Sequence, residues 1–517
     1  MTAAHRSRLA FVIALAGLVT LTGCTVGPDT GPKVVHGDGG GDRTDDKPKL
    51  PTLRAPKSDL NYAPCGDKLD DYGVDKPKDV LFDCATYDVP VDPQKPGGDT
   101  LTVGVVRARM DATPKDAVPL VLTSGSDLPS SRLLLTFTAD RGRQLLERHP
   151  IVAVDRRGTG LSSPVDCLTR DQRETFAANG ADDGRDVAAR TTALAKAART
   201  GADICNDTLN PNQLQYSTAT AAEDLEALRS RWDVDRMALV GVGSGSSVVL
   251  AYAGAHPGHV GRLVLDSPVG FHEEATQAYA DRAAGVNASL ATFAQRCSNV
   301  GCALGPDGLA TLRRVVSSAA TGGVDGLTDT SVLNAVTTAL AVGDDSPAGL
   351  RALGHAIADA DRNDTAALVK LAQSAELIRS ADGQYLARCN DMVGRPGLDD
   401  IPELAKDWAK DSALTATSTA LDLARCDGWG VADAPKSPTS FAVVPLILAG
   451  ANDPINGRKS GESVLPLLIS AGADVRTITW DGLGYSVLAR SDCAAATVDD
   501  YLGGEPPSGQ NEQACPG

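Results

Sequence analysis

The segment most informative about chemistry is residues 241–246, which read Gly-Val-Gly-Ser-Gly-Ser. An apolar run at 237–240 precedes it, and a run of small and apolar residues with helical character follows at 247–253. A strand, a tight glycine-flanked turn and a helix together form the nucleophile elbow of serine hydrolases, whose pattern is G-x-S-x-G. In the frame that keeps both outer glycines, the central residue is Gly243, which carries no hydroxyl. Ser244, one residue later, is the candidate replacement nucleophile.

The overall composition limits the class of protein. The chain has 517 residues, so we expect two subdomains or one large fold with an insertion. Hydrophobic residues make up 42% of it, which is enough for a packed interior. The formal net charge of -17 argues against nucleic acid or an anionic membrane surface as a partner. No residue pattern indicates a cofactor.

The N-terminus has the pattern of an export signal. Arg6 and Arg8 precede the apolar run 9–21, and Leu-Thr-Gly-Cys ends at Cys24. The run is too short to span a membrane, and the cysteine after small residues resembles a bacterial lipobox. We expect a signal peptide at 1–23, lipidation of Cys24, and a location on the outer face of the cell membrane, with contact through the lipid only. An ordinary signal peptide with a chance cysteine is the alternative.

A flexible tether is predicted for residues 24–60. Residues 25–60 contain no aromatic residue and many glycines, prolines, aspartates and lysines. Such a segment buries too little apolar surface to fold.

The remaining ten cysteines indicate disulfides. An even count in an exported chain favours disulfides over metal or redox chemistry, and neither a C-x-x-C pair nor a cysteine-histidine cluster supports a zinc site. Connectivity stays open, and pairing in sequence order is the simplest expectation because each loop is then local: Cys65–Cys84, Cys167–Cys205, Cys297–Cys302, Cys389–Cys426 and Cys493–Cys515.

Strand and helix patterns alternate along most of the chain. A helical pattern at 223–229 lies between strand patterns, and strands alternating with helices predict a mostly parallel sheet covered on both faces. Residues 272–438 are rich in alanine and leucine with helical periodicity, which predicts a helical insertion. The predicted strands are 101–107, 119–123, 151–154, 237–242, 262–265, 441–448 and 475–480.

The order of these segments resembles a known family. Residues 155–163 read Asp-Arg-Arg-Gly-Thr-Gly-Leu-Ser-Ser and closely match a DRRGTGxS loop, and the cysteine placement agrees. The chain resembles the secreted actinobacterial tripeptidyl aminopeptidases and proline-iminopeptidase-like α/β-hydrolases with a TAP-like C-terminal domain. The resemblance implies an α/β-hydrolase fold with a mostly parallel sheet, divided into a core at 61–271, a helical cap at 272–438 and a TAP-like core part at 439–517.

The family's catalytic triad can be located residue by residue. Its serine aligns with Gly243, which cannot form an acyl-enzyme. Its histidine position falls in 482–485, Gly-Leu-Gly-Tyr, and so on Tyr485; no histidine follows His355. A tyrosine is a poor general base at neutral pH. Asp453, in a Gly-Ala-Asn-Asp-Pro turn, retains the acid position, where a structural role is expected without the histidine.

The family's glycine-rich oxyanion loop is also altered. Residues 124–129 read Ser-Gly-Ser-Asp-Leu-Pro, with Gly125 and Ser126 at the oxyanion-loop position. Asp127 would repel a developing oxyanion instead of stabilising it.

Three functions follow from these losses. The favoured hypothesis is an inactive hydrolase relative that binds a peptide or small-molecule ligand in the cleft between core and cap. The first alternative is an active serine hydrolase or exopeptidase that cleaves peptides or esters through Ser244. The second is an assembly partner of an envelope enzyme, without a small-molecule site.

Overall fold

The structure is a computed structural model that describes residues 50–181, 186–324, 326–507 and 511–517. The expected signal peptide, Cys24 and most of the expected tether lie outside the described residues.

The central feature of the described residues is one ten-stranded sheet with the order β1-β2-β3-β5-β4-β6-β7-β8-β9-β10. Pairing is antiparallel from β1 to β5 across β2 and β3, and parallel from β5 to β10. The prediction of a mostly parallel sheet is confirmed. The strands are β1 (Ala63–Pro64), β2 (Leu81–Pro90), β3 (Thr100–Arg109), β4 (Leu120–Thr123), β5 (Ile151–Val154), β6 (Met237–Val242), β7 (Val260–Asp266), β8 (Leu446–Asn452), β9 (Arg476–Leu483) and β10 (Glu512–Cys515).

Helices connect these strands and build the insertion. In the described parts of the chain, no helix combines the length and the hydropathy needed to cross a membrane. The α-helices are α1 (Ser130–Ala139), α2 (Arg170–Ala177), α3 (Val187–Leu209), α4 (Thr218–Trp232), α5 (Gly245–Ala255), α6 (Ala275–Asn299), α7 (Gly308–Ala319), α8 (Asp329–Val342), α9 (Pro347–Ala360), α10 (Ala366–Arg379), α11 (Asp382–Asp391), α12 (Ile401–Trp408), α13 (Ala416–Asp422), α14 (Val464–Ser470), α15 (Val487–Arg490) and α16 (Asp492–Leu502).

Both faces of the sheet are buried because successive side chains point to opposite faces. In β4, Leu120 and Leu122 pack in one cluster with α1, α15 and α16, whereas Val121 packs in the other with α4, α5 and α14. A strand buried on both faces needs a continuous apolar run, and β4 to β6 have one. The carboxyl ends of the parallel strands are thereby fixed at one edge, where the elbow lies.

The cap is built from two stretches of the chain. The helices α6 to α13 occupy the predicted insertion, although the strand predicted at 441–448 begins only at Leu446. Helices α2 and α3 belong to the same layer, since Leu194 and Cys205 share a buried cluster with Leu386 and Leu421. Sequence analysis placed only residues 272–438 in the cap, because the earlier stretch lies between two core strands.

The predicted end of the tether is corrected. Residues 50–60 lie along the core: the main-chain N–H of Lys57 donates to the carbonyl of Trp232 at 3.0 Å, and Arg262 Nη1 donates to the carbonyl of Pro51 at 2.9 Å. Ordered structure therefore begins before residue 60. Low aromatic content did not prevent this, because the contacts use main-chain atoms together with Leu50, Leu53 and Leu60, which pack against the core.

Five disulfides join the described cysteines in sequence order, with Cα–Cα distances of 4.9–5.8 Å. These are the pairs that the sequence analysis expected: Cys65–Cys84, Cys167–Cys205, Cys297–Cys302, Cys389–Cys426 and Cys493–Cys515. Each closes a loop within the core or within the cap layer. Among the described residues, cap and core are therefore held together by non-covalent contacts.

The Asp-Arg-Arg-Gly loop at 155–163 is one such contact. Arg157 Nε and Nη2 donate to the two carboxylate oxygens of Asp224 at 2.9 and 2.5 Å, which fixes α4. Arg156 Nη2 donates to Asp391 Oδ2 at 2.9 Å, and so ties the loop to α11 of the cap. Charge-assisted pairs of this kind are among the stronger polar contacts in proteins. The loop acts here as a structural joint.

Candidate functional site

The elbow expected from the sequence is present at the carboxyl edge of the sheet. β6 ends at Val242, and Gly243 turns the chain with φ +55°, which L-residues with side chains rarely adopt. The Gly243 N–H donates to the carbonyl of Asp266 at 2.9 Å, and α5 begins at Gly245. The backbone of a nucleophile elbow is therefore retained.

The space in which a nucleophile side chain would lie is occupied. A Cβ added to Gly243 would overlap the Asp127 carboxylate and the Tyr485 hydroxyl, and would lie 2.8 Å from Asn456 Nδ2. Three side chains from three separate segments thus fill the position above the turn. Glycine is the residue that this arrangement accommodates.

The Asp127 carboxylate is the centre of this group. Its Oδ2 accepts hydrogen bonds from the Ser244 N–H at 2.9 Å, the Tyr485 hydroxyl at 2.7 Å and Asn456 Nδ2 at 2.8 Å. We call these four residues the Asp127 cluster. The N–H that follows a nucleophile is normally an oxyanion donor. In this structure the corresponding Ser244 N–H already donates to the Asp127 carboxylate.

Ser244 is held by the altered loop. Its Oγ accepts a hydrogen bond from the Ser126 N–H at 2.9 Å and donates to the carbonyl of Ser124 at 3.2 Å. Gly125, with φ +59°, permits this approach, because a Cβ there would lie 2.6 Å from Ser244 Oγ. The Ser126 N–H lies in the loop that supplies the second oxyanion donor in this type of site. This second donor is therefore also occupied, because the Ser126 N–H already donates to the Oγ of Ser244.

No described histidine is hydrogen-bonded to Ser244. His272 and Ser244 line one cavity between the core and the cap, but His272 is exposed to solvent. The other described histidines lie elsewhere: His149 contacts the carbonyl of Val118, His256 contacts Glu223, His259 contacts Glu226, and His355 is exposed. The structure brings together Gly125, Ser126, Gly243, Ser244 and Tyr485, and none of the described histidines lies among them.

Tyr485 is a hydrogen-bond donor and not a base. Burial, reinforced by the negative charge of Asp127, raises the pKa of its hydroxyl well above the usual value of 10.0. The side chain is fully buried, so the neutral phenol persists throughout the physiological range. A neutral phenol that donates its hydrogen bond to Asp127 cannot act as the general base for a nucleophile.

Asp453 retains the acid position, but no described histidine is hydrogen-bonded to it. Its Oδ1 accepts hydrogen bonds from the main-chain N–H groups of Ile455 and Asn456 at 2.7 and 3.3 Å. Its Oδ2 is buried and has no hydrogen-bond partner among the described residues. Burial raises the pKa of this carboxyl to about 8. At neutral pH it is therefore a neutral acid, in contrast to the ionised carboxylate of a working triad.

The raised pKa of Asp453 predicts a pH-dependent stability. The folded state keeps the proton up to a pKa of about 8, whereas the unfolded chain releases it near 3.8. The stabilisation is therefore complete below the unfolded pKa and is lost as the pH rises towards 8, at about 1.4 kcal/mol per pH unit. Asp453→Asn, which cannot ionise, should flatten this slope.

Urea unfolding between about pH 6.5 and 8 measures the difference. This range lies above the pKa of Asp266, which burial raises to about 6. Equal slopes for the wild type and Asp453→Asn would contradict the neutral state of Asp453.

A cleft lies between the Asp127 cluster and the cap. It encloses a cavity of about 200 Å³, with Ser126, Asp127 and Ser244 on the core side. Tyr279 and Arg282 of α6 lie on the cap side. A ligand-sized space therefore adjoins the altered elbow.

One cluster among the described residues could direct several ligand atoms at a metal. Glu226, His256 and His259 each place a ligand atom within 4.8 Å of the others. However, Glu226 already accepts hydrogen bonds from the Arg229 guanidinium and, at 3.0 Å, from the Tyr252 hydroxyl. A metal would have to displace this guanidinium, and the ion pairs explain the cluster without one.

Sequence reasoning missed two residues of the site. Asn456 joins the Asp127 cluster and lies three residues after Asp453, so the turn that contains the acid could have indicated it. Gln384 of α11 donates from Nε2 to the carbonyls of Ser126 and Asp127, both at 3.2 Å. No local signal marks Gln384, because only the packing of cap on core brings it to the loop.

Two family models match the chain. The model described as alpha/beta hydrolase fold matches residues 139–307, and the model described as TAP-like protein matches residues 412–515. The chain has the α/β-hydrolase fold, and residues 139–307 match that family. Its C-terminal part matches the TAP-like family, as the resemblance implied.

Two curated relatives and one solved structure are similar to this chain. The serine protease Hip1 of Mycobacterium tuberculosis is 24% identical over 463 residues, covering 82% of this chain and 86% of that protein. The tripeptidyl aminopeptidase of Streptomyces coelicolor is 25% identical over 224 residues, covering 43% and 40%. The solved structure of proline iminopeptidase from Mycobacterium smegmatis aligns with a TM-score of 0.38 at 14% identity, covering 81% of this chain and 98% of that one.

Proposed function

We propose that this α/β-hydrolase-fold protein is catalytically inactive and acts by binding a ligand in the cleft between core and cap. One observation carries the proposal: the Asp127 carboxylate accepts the Ser244 N–H at 2.9 Å, above a Gly243 without a side chain. Nucleophile and oxyanion site are thus replaced by one internal contact. A developing oxyanion would meet a carboxylate where catalysis needs a free donor.

Ser244 does not supply a simple replacement for the lost serine. Its hydroxyl is already bonded to the Ser124–Ser126 loop, and no described histidine is positioned to take its proton. Losing the serine or the histidine of a triad lowers turnover by about 10⁶-fold in a serine protease. This site lacks both the serine and the histidine, which supports inactivity over catalysis through Ser244.

The ligand class follows from the relatives only by analogy. Two relatives bear the names serine protease and tripeptidyl aminopeptidase, which describe action on peptides. A peptide or a small molecule is therefore the proposed occupant of the cleft. Thermal stabilisation by a peptide would favour a working cleft over the assembly-partner alternative, since only a ligand of the folded state raises the unfolding temperature.

Turnover measurements test the proposal. Purified protein should hydrolyse tripeptidyl-anilide and nitrophenyl ester substrates no faster than the matched variant Ser244→Ala. The variant removes only the hydroxyl, so any contaminating hydrolase affects both preparations equally. Turnover by the wild type that disappears in Ser244→Ala would overturn the proposal.

We further propose that the protein is exported and lipid-anchored through Cys24. The five disulfides support an oxidising compartment, and the Leu-Thr-Gly-Cys sequence supports lipidation. In a bacterial host, wild type should fractionate with membranes, and Cys24→Ser should not incorporate labelled fatty acid. Equal labelling of both forms would contradict the anchor.

A further inference from the structure

The cap side of the cleft is lined by arginines. Arg282 of α6, Arg379 at the end of α10 and Arg388 of α11 all line the cleft cavity. The same three residues line a second cavity of about 750 Å³ inside the cap layer, and Tyr279 and Met392 are also common to both. We call the three residues the arginine cluster. It lies where the two cavities meet.

The arginine cluster has few anionic partners. Arg379 Nη1 donates to the hydroxyls of Thr337 and Thr338, both at 3.2 Å, and Arg388 Nη2 donates to the Arg379 carbonyl at 2.9 Å. Within the described ranges, no carboxylate lies within 4.0 Å of the guanidinium group of Arg379 or of Arg388. Of the three arginines, only Arg282 has a described carboxylate partner within 4.0 Å: its Nη1 lies 3.9 Å from Asp422 Oδ2.

Nearby carboxylates have other partners. Asp422 is closer to Arg425, at 3.1 Å, than to the arginine cluster. Asp391 accepts from Arg156 at 2.9 Å and from the Thr218 N–H at 2.8 Å. The positive charge of the cluster is therefore not neutralised at short range by the described acids that line the cavities.

This concentration of positive charge is unfavourable without a ligand. Burial, and then the charges of Arg282 and Arg388, lower the pKa of Arg379 to about 9, so it remains charged at neutral pH. Like charges in a partly dehydrated space repel one another more strongly than in water. The net charge of the chain is -17, so basic composition does not account for the cluster. An anion between these guanidinium groups would offset the repulsion.

We propose that the arginine cluster binds the carboxylate or phosphate of a ligand whose apolar part lies in the cap cavity. Guanidinium groups bind both anions through paired N–H donors. Apolar side chains that line the cap cavity include Phe176, Leu327 and Val369. The inference rests on the proposed function, since it names the ligand class of the same cleft.

Calorimetric titration of the full-length protein with paired probes tests this site. Octanoate and octyl phosphate are compared with neutral octanamide, and Ala-Ala-Phe with a free carboxylate is compared with its amide. At least one acid should bind about tenfold or more tightly than its neutral counterpart, because charged hydrogen bonds contribute at this scale. The octanoate, phosphate and peptide arms distinguish a lipid acid, a phosphate and a peptide terminus as sources of the anion.

Matched variants locate the binding. Arg379→Gln and Arg388→Gln should each weaken binding of the acidic probe by about tenfold, while Arg379→Lys should retain part of the affinity. The control is Arg362→Gln, which removes an exposed cap arginine paired with Asp359. Unfolding temperatures matched to wild type verify that each variant is folded.

Three results would overturn the site: equal affinity for acids and neutral probes, no binding by any acid, or unchanged affinity in both glutamine variants. Hydrolysis through Ser244 with anion binding intact would overturn the proposed function and leave the site standing. Absent hydrolysis with absent anion binding would overturn the site alone.

Discussion

Replacing Asp127 with alanine should lower the free energy of unfolding by about 3 kcal/mol. The carboxylate accepts three hydrogen bonds, and its removal leaves the Ser244 N–H and Asn456 Nδ2 without an acceptor. The Tyr485 hydroxyl loses its shorter hydrogen bond and keeps only the Val242 carbonyl, at 3.2 Å. Buried donors that lack an acceptor account for most of such a loss of stability, because they either stay unpaired or require water to enter the site. Urea unfolding of the variant and the wild type measures the difference.

Two control variants show whether the loss of stability in Asp127→Ala comes from the lost acceptor. Asp127→Asn keeps an acceptor oxygen and should lose only about 1 kcal/mol. Asp116→Ala removes an exposed carboxylate shortly before the same loop and should have no measurable effect. A loss in Asp127→Ala no greater than in Asp116→Ala would show that the cluster does not hold the site together.

Rebuilding the triad should restore reactivity only when Asp127 is removed. The variant Gly243→Ser, Tyr485→His, Asp127→Gly supplies a hydroxyl and an imidazole and frees the Ser244 N–H. It also removes the Asp127 carboxylate and the Tyr485 hydroxyl, the two groups that a Cβ at position 243 would approach most closely. We expect a fluorophosphonate probe to react about 10³-fold or more faster with it than with the wild type. Gly243→Ser with Tyr485→His alone should stay unreactive, since the serine would overlap the Asp127 carboxylate.

Adding Asp453→Asn to the rebuilt variant provides the matched control. Asp453 holds the acid position after β8, and a triad needs an ionised carboxylate to orient its histidine. The added change should therefore lower the labelling rate again. Equal labelling with and without Asp127→Gly would contradict the role assigned to that carboxylate.

The fold could be predicted well because its signals are local. The apolar runs that became β4 to β7, the glycine at the elbow and the Asp-Arg-Arg-Gly loop at 155–163 are each recognisable within a few residues. Glycine at position 243 was also interpretable, because a missing hydroxyl needs no structure to be noticed. The predicted boundary of the tether was wrong, because the contacts at 50–60 come from main-chain atoms and from Leu50, Leu53 and Leu60, whose spacing follows no helix or strand period.

The candidate site was only partly predictable, because its decisive contacts are distant in sequence. The sequence indicated that Asp127 would repel an oxyanion, but it could not show which groups the carboxylate contacts. Its hydrogen-bond partners Ser244 and Tyr485 lie 117 and 358 residues away along the chain. The arginine cluster likewise comes from three helices, α6, α10 and α11, and only their packing brings the three side chains to one cavity. Tertiary packing, absent from local patterns, converts these separate substitutions into one occupied site.

Fluorophosphonate labelling of the wild-type protein, with intact mass as the readout, tests the central claim most directly. The structure predicts no adduct, because Gly243 offers no nucleophile, and Ser244 is bonded into the loop without a base. Ser244→Ala provides the matched comparison and should give the same spectrum. One adduct per chain that maps to Ser244 and vanishes in Ser244→Ala would contradict catalytic inactivity.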